Sequence, residues 1–257
     1  MPTATRRRRR KQLSDAQLVD ALATINESDS VELKLTVPAP EHRATLLALG
    51  LDPLAAQIRL VYFFDTPDLA LNAAGVVVRA RRIQGKGEDT VVKLRPVVPH
   101  EMPDSLRESS SFNIEVDAMP GGFVCSASLK GVPRKATVLE AATGEAPLRR
   151  IFSKEQRRFY AEHAPPDLPL DDLSLLGPIF VMKMKGTPRG AARKFAVELW
   201  LYPAGRILEL STRCATGEAM QVAAESRAFL TEMGVDLAGD QETKTRTALE
   251  YFAAHPD

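Results

Sequence analysis

The sequence predicts an α+β fold: an antiparallel β-barrel forming a tunnel with a charged interior, with helices packed against its outside. Two observations carry this. Glu32-Leu33-Lys34, Arg79-Ala80-Arg81, Lys93-Leu94-Arg95 and Glu115-Val116-Asp117 each place charge at every second position with apolar residues between. Residues two apart on a strand share a face, so each segment offers one charged and one apolar surface. The same alternation returns at Lys183 and Lys185, around Glu198, and through Glu209, Ser211 and Arg213. A single charged strand face suits open solvent, but many of them suit a closed sheet, which serves both surfaces at once. On this reading the interior holds ten cations against five acids, about +5, in a chain whose net charge is +1. Like charges at 4 Å repel by roughly 4 kcal/mol near a protein surface, so a multivalent anion is the expected occupant.

The elements follow in order. Ser14-Asp15-Ala16-Gln17 has capping-box spacing, and Leu18, Leu22 and Ile25 continue at helical intervals, predicting a helix over 14–25. A charged strand over 30–37 precedes a second helix opened by Pro40-Glu41 and closed by Gly50. Residues 57–65 are rich in β-branched and aromatic side chains and read as a strand, and Thr66-Pro67-Asp68 starts a helical turn ending near Gly75. Strands at 76–83, 89–96 and 110–118 come next, and their short turns argue for antiparallel pairing. From Met119 to Leu148 the pattern is two weak helical stretches broken by Gly131-Val132-Pro133, expected to cross the outside of the sheet. Strands resume at 150–161, 179–187, 194–203 and 206–214, with a hairpin at Pro203-Ala204-Gly205, and helices over 217–233 and 240–253 end the chain.

At 257 residues, 44% hydrophobic and 26% charged, the chain has the composition of a soluble globular protein, and no break divides residues 14–257 into two domains. No apolar run approaches the ~20 residues that span a bilayer. Cys125 and Cys214 lack metal-ligand spacing and read as reduced thiols of a cytoplasmic protein. The four histidines form no ligand pair, which argues against a histidine metal site. Six of the 34 basic residues form the run Arg6 to Lys11, and the remaining 28 face 33 acidic ones, so the body carries −5. Such a run at a terminus reads as a disordered, solvated tail over 1–13 rather than a nucleic-acid contact. No apolar stretch follows it, which argues against a secretory or twin-arginine signal.

The stretch YFFDTPDLALNAAGVVVRARR looks like the Tyr-x-Asp-Thr-Pro segment and Arg-x-Arg strand of the CYTH superfamily, the triphosphate tunnel metalloenzymes. That superfamily includes thiamine triphosphatase, class IV adenylate cyclase and inorganic tripolyphosphatases. KLRP, the Glu115 strand, KEQRRFY, the Glu198 strand and ETKTR follow in the same order, so the resemblance covers about residues 29–252. It implies that Lys34, Arg79, Arg81, Lys93, Arg157 and Lys244 bind phosphate. Arg157 stands three before Tyr160, as the family's Arg does, and is preferred to Arg158. Glu32, Glu198 and Glu209 resemble ligands of Mg2+ or Mn2+, and Lys34 with Glu209 would carry the hydrolysis of a linear triphosphate, inorganic or with a small head group. No Ser-His or Cys-His pair suggests a covalent route. The chain departs from the pattern at Ser30 and Ser211, where the superfamily has Glu. Each swap removes a strong oxygen ligand, and the alternative is a module that binds triphosphate or polyphosphate without hydrolysing it. Trp200, Met182 and Met184 are expected in core packing.

Overall fold

The computed structural model describes residues 15–237, 241 and 244–255. In chain order the elements are α1 (Asp15–Asn26), β1 (Ser30–Val37), α2 (His42–Leu49), β2 (Gln57–Asp65), α3 (Ala70–Ala73), β3 (Val76–Ile83), β4 (Gly87–Leu94), α4 (Asp104–Arg107), β5 (Phe112–Met119) and β6 (Gly122–Gly131). There follow α5 (Val138–Ala142), α6 (Lys154–His163), β7 (Ser174–Gly186), β8 (Phe195–Tyr202), β9 (Gly205–Cys214), α7 (Ala219–Glu232) and α8 (Lys244–Ala254). The nine strands close into a barrel in the order β1-β5-β6-β4-β3-β2-β7-β8-β9. Every neighbouring pair is antiparallel except β1 with β5, which run parallel and set Ser30 beside Glu115 and Glu32 beside Asp117.

The alternation decides which face each side chain takes. Val31, Val78, Ala80, Val92, Ile114 and Val116 turn outward into a buried cluster shared with Phe159 and Tyr160 of α6 and Val222 of α7. Leu35, Met184, Val197, Leu208 and Leu210 turn outward into a second cluster, packed with Leu49 of α2 and Leu230 of α7. A third cluster fills part of the barrel itself: Val61, Phe63, Val77, Val181 and Trp200 pack with Ala248 and Leu249 of α8. This leaves a cavity of about 320 Å3 lined by the charged rows, with Lys244 and Thr245 of α8 reaching into it.

Local chemistry supports the boundaries. Gly50, at φ 60°, ends α2 in the left-handed conformation that costs glycine little. Asp65, buried at the end of β2, accepts from the backbone N–H groups of Thr66, Leu71 and Asn72 at 2.7, 2.8 and 3.0 Å. The conspicuous Asp-Thr-Pro segment is thus a turn that folds the chain from β2 into β3.

Two segments differ from the sequence expectation. Residues 150–161, read as a strand, instead contribute most of α6, which runs over Lys154–His163. Ser153 caps it by accepting from Gln156 N–H, the Gln156 side chain returns a bond to Ser153 N–H, and Gln156, Phe159 and Tyr160 bury one face at helical spacing. Residues 122–131, read as weakly helical, form β6. Its outward Cys125, Ala127 and Leu129 are buried, while the small inward Ser126 and Ser128 gave little β signal. Ser14 of the expected capping box, residues 240, 242 and 243 at the start of the last expected helix, and the basic run fall outside the described residues. Among the described residues no helix is long and apolar enough to cross a membrane.

Candidate functional site

The cavity inside the barrel has two chemically distinct walls. Carboxylates come from four contiguous strands: Glu198 on β8, Glu209 on β9, Glu32 on β1, and Glu115 and Asp117 on β5. The other five strands carry Lys130 on β6, Lys93 on β4 with Arg95 just beyond it, Arg79 and Arg81 on β3, Arg59 on β2, and Lys183 and Lys185 on β7. Lys34, Arg213 and Lys244 stand on the acidic side, so eleven cations and five carboxylates line the cavity, an excess of six positive charges.

The carboxylates form two groups. Because β1 and β5 run side by side, oxygens of Glu32, Glu115 and Asp117 lie within 4.8 Å of one another. Lys34 Nζ bridges Glu32 and Asp117 at 3.1 and 2.8 Å, Lys93 Nζ reaches Asp117 at 3.2 Å, and Arg213 pairs with Glu115. Burial opposes ionisation of Asp117, but Lys93 and Lys34 outweigh it and hold the carboxyl at about 2. Burial, with Glu32 and Asp117 nearby, raises Glu115 above its ordinary value. Ser211 Oγ donates to Glu32 at 3.1 Å, and Ser30 Oγ is buried without a hydrogen-bond partner among the described residues. The second group is Glu198 with Glu209, directly opposite each other on β8 and β9. Lys244 bonds to both, at 2.6 Å from Glu209, Lys183 approaches Glu198 at 2.5 Å, and Trp200 Nε1 donates to Glu198 at 3.1 Å. Partial burial opposes ionisation of Glu198, but Lys244 and Lys183 flank it and hold it well below the usual carboxylate range.

The arginines differ sharply. Arg81 is held bidentately by Asp89, Nε to Oδ1 at 2.7 Å and Nη2 to Oδ2 at 2.5 Å. Arg79 is half-buried, its Nε is buried without an acceptor, and no carboxylate among the described residues pairs with it. Burial, with Arg81 beside it, lowers Arg79 to about 9, so it remains a cation at neutral pH. Arg59 and Arg95 also lack a carboxylate partner among the described residues, and burial lowers both. A barrel with opposed acidic and cationic walls can take a polyanion on one side and hard cations on the other.

The same architecture occurs in solved structures. HpAC1 from Hippeastrum, a candidate adenylyl cyclase with a dominant triphosphatase activity, aligns with a TM-score of 0.60 over 86% of this chain and 95% of its own, at 17% identity. A candidate adenylate cyclase from Bacillus halodurans aligns with a TM-score of 0.57 over 85% of this chain and 97% of its own, at 11% identity. The chain shares the fold of these two proteins. Its sequence matches no family model and no curated protein.

Within this barrel, Lys34, Arg79, Arg81, Lys93, Lys244, Glu32, Glu198 and Glu209 all line the cavity. Arg157 does not. It lies on α6, outside the barrel, where Nη1 donates to the Arg149 carbonyl at 3.3 Å. Helical spacing turns Gln156 toward the sheet and Arg157 away from the cavity. The metal-ligand set expected from the resemblance divides, because Glu32 stands with Glu115 and Asp117 while Glu198 and Glu209 share Lys244. Trp200 is buried as expected but faces the barrel interior, with Lys244 Nζ 5.0 Å from its ring centroid. Arg59 and Lys130 were missed. Arg59 stands two before the apolar interior residue Val61 and so broke no visible charged pattern, while Lys130 belongs to the strand misread as helix.

Proposed function

We propose that the CYTH-type barrel hydrolyses a linear triphosphate, inorganic or carrying a small head group, in a reaction that depends on Mg2+ or Mn2+. The observation that carries this is the opposition of the two walls: half-buried Arg79 has no carboxylate at ion-pair distance among the described residues, and hard oxygen donors cluster across from it. A phosphate oxygen placed at Arg79 relieves the cost of a half-buried, unpaired cation.

Glu32, Glu115 and Asp117 fit a divalent ion, since three carboxylates within 4.8 Å of one another can share one coordination sphere. Such an ion would neutralise phosphate oxygens as charge develops on them. Lys34 and Lys93 already span the cleft between the walls through Asp117 and would be shared with the phosphate chain when it enters. Glu209, buried and held by Lys244, is the carboxylate that would orient an attacking water, with Lys34 stabilising the transition state.

The test is phosphate release from tripolyphosphate, thiamine triphosphate and ATP, with Mg2+, Mn2+ or chelator. Release that requires metal and falls at least about a hundredfold in Lys34→Ala and Glu209→Gln supports hydrolysis by this site. Equal rates in those variants would sink it. Thermal stabilisation by tripolyphosphate without release would favour a binding module that has lost part of its metal chemistry at Ser30 and Ser211.

A further inference from the structure

Resting on the triphosphate reading, we infer that Arg59, rather than Arg81, joins Arg79 as the second phosphate-binding arginine of this barrel. Both line the cavity from adjacent strands, and their forks are engaged differently. Arg81 spends Nε and Nη2 on the two oxygens of Asp89, at 2.7 and 2.5 Å, so its charge is neutralised and its bidentate edge is filled. Arg59 directs Nε and Nη2 at one neutral oxygen, Gln57 Oε1, at 3.2 and 2.7 Å. That contact fixes the guanidinium plane and leaves its charge uncompensated. The opposite edge, made by Nη1 and the second N–H of Nη2, has no acceptor among the described residues. Arg81 has the same Nη1–Nη2 edge open, so the two differ in charge: Asp89 already neutralises Arg81, whereas Arg59 has only a neutral amide on its filled edge and keeps its cation for two phosphate oxygens.

The wall therefore offers Arg59 and Arg79 to the anion. Asp89 acts on specificity through Arg81, because a carboxylate left facing an incoming phosphate would repel it. Removing Arg81 alone would expose that carboxylate, so the informative comparison removes the pair together.

The experiment measures tripolyphosphate binding by calorimetry and by fluorescence of Trp200, the chain's single tryptophan, alongside the melting temperature of each ligand-free variant. Arg59→Ala is expected to weaken binding about ten- to a hundredfold, the range for a charge-assisted pair. Arg59→Lys, keeping charge without the fork, should recover part of that loss. The double variant Arg81→Ala with Asp89→Ala should lose less than Arg59→Ala. The ligand-free melting temperature of Arg59→Ala should hold or rise, since a repelled cation is removed, whereas a purely structural arginine would lower it. Unchanged affinity in Arg59→Ala, or a greater loss in the double variant, overturns the assignment while the phosphate reading stands. No binding by the unmodified protein overturns both.

Discussion

Arg79 and Arg81 stand two residues apart on one strand, yet one has a carboxylate on its fork and the other has none. The difference sets what each can do, because a neutralised fork is committed and an uncompensated half-buried charge awaits a partner. Arg79→Met should raise the ligand-free melting temperature, by about 1 kcal/mol or more of stability, and weaken tripolyphosphate binding at least about tenfold. Melting curves with and without tripolyphosphate check both, and a fall in the ligand-free value would contradict the reading. Asp89 makes the complementary case. Burial raises its carboxyl, but the hydrogen bonds and charge of Arg81 outweigh burial and hold it below the usual 3.8. Its stabilisation is therefore complete above the ordinary carboxylate value and is lost as pH falls below it. Asp89→Asn should flatten the acid limb of the stability profile, measured by denaturant unfolding at successive pH values below about 4. The identities of Lys34, Arg79, Arg81 and Lys93 as cavity residues were legible from alternation alone. The Arg81–Asp89 pairing was not, because it depends on the register between β3 and β4.

Segments that read clearly in sequence met two different environments along their whole length. β1, β3, β4 and β5 each face charge on one side and packed aliphatic side chains on the other, so period two survives in every one of them. β6 and α6 read wrongly for opposite reasons. β6 puts serines inward and small residues outward, which dilutes the contrast; α6 carries charges at spacings that fit either period, and only its Ser153–Gln156 capping box marked it as a helix. The two elements meet at Gln156, which is fully buried and donates to the carbonyls of Thr90 and Leu129 at 3.2 and 3.0 Å. Gly131 gives it room, since a Cβ there would lie 2.2 Å from Gln156 Oε1. Gly131→Ala should cost about 1–3 kcal/mol through this overpacking, read from the shift in denaturant midpoint. Arg157→Ala, outside the barrel, should leave tripolyphosphate affinity within about 0.5 kcal/mol of the unmodified protein, measured by calorimetry. A large loss there would return Arg157 to the site.

At the scale of the molecule, closure turns scattered charges into a field. With Arg81 neutralised by Asp89, an excess of five positive charges in a cavity of about 320 Å3 repels itself when empty and attracts polyanions strongly. Both effects are screened by salt, in opposite directions for stability and affinity. Raising ionic strength with a weakly binding salt should therefore increase the ligand-free melting temperature while weakening tripolyphosphate binding. Calorimetry and melting curves across a salt series would show this, and affinity independent of salt would argue against an electrostatic cavity.

The chain by itself determined that most strands present a charged face and an apolar face, because each strand meets the same two surroundings wherever it pairs. It thereby specified a closed sheet with a cationic interior and helices outside. Tertiary structure alone decided which charges meet. The parallel closure of β1 on β5 brings Glu32, Glu115 and Asp117 together, and the arrival of α8 sets Lys244 between Glu198 and Glu209. Those partners lie far apart along the chain, and their encounter depends on strand order, register and the path of the last helix, none of which leaves a local periodic trace.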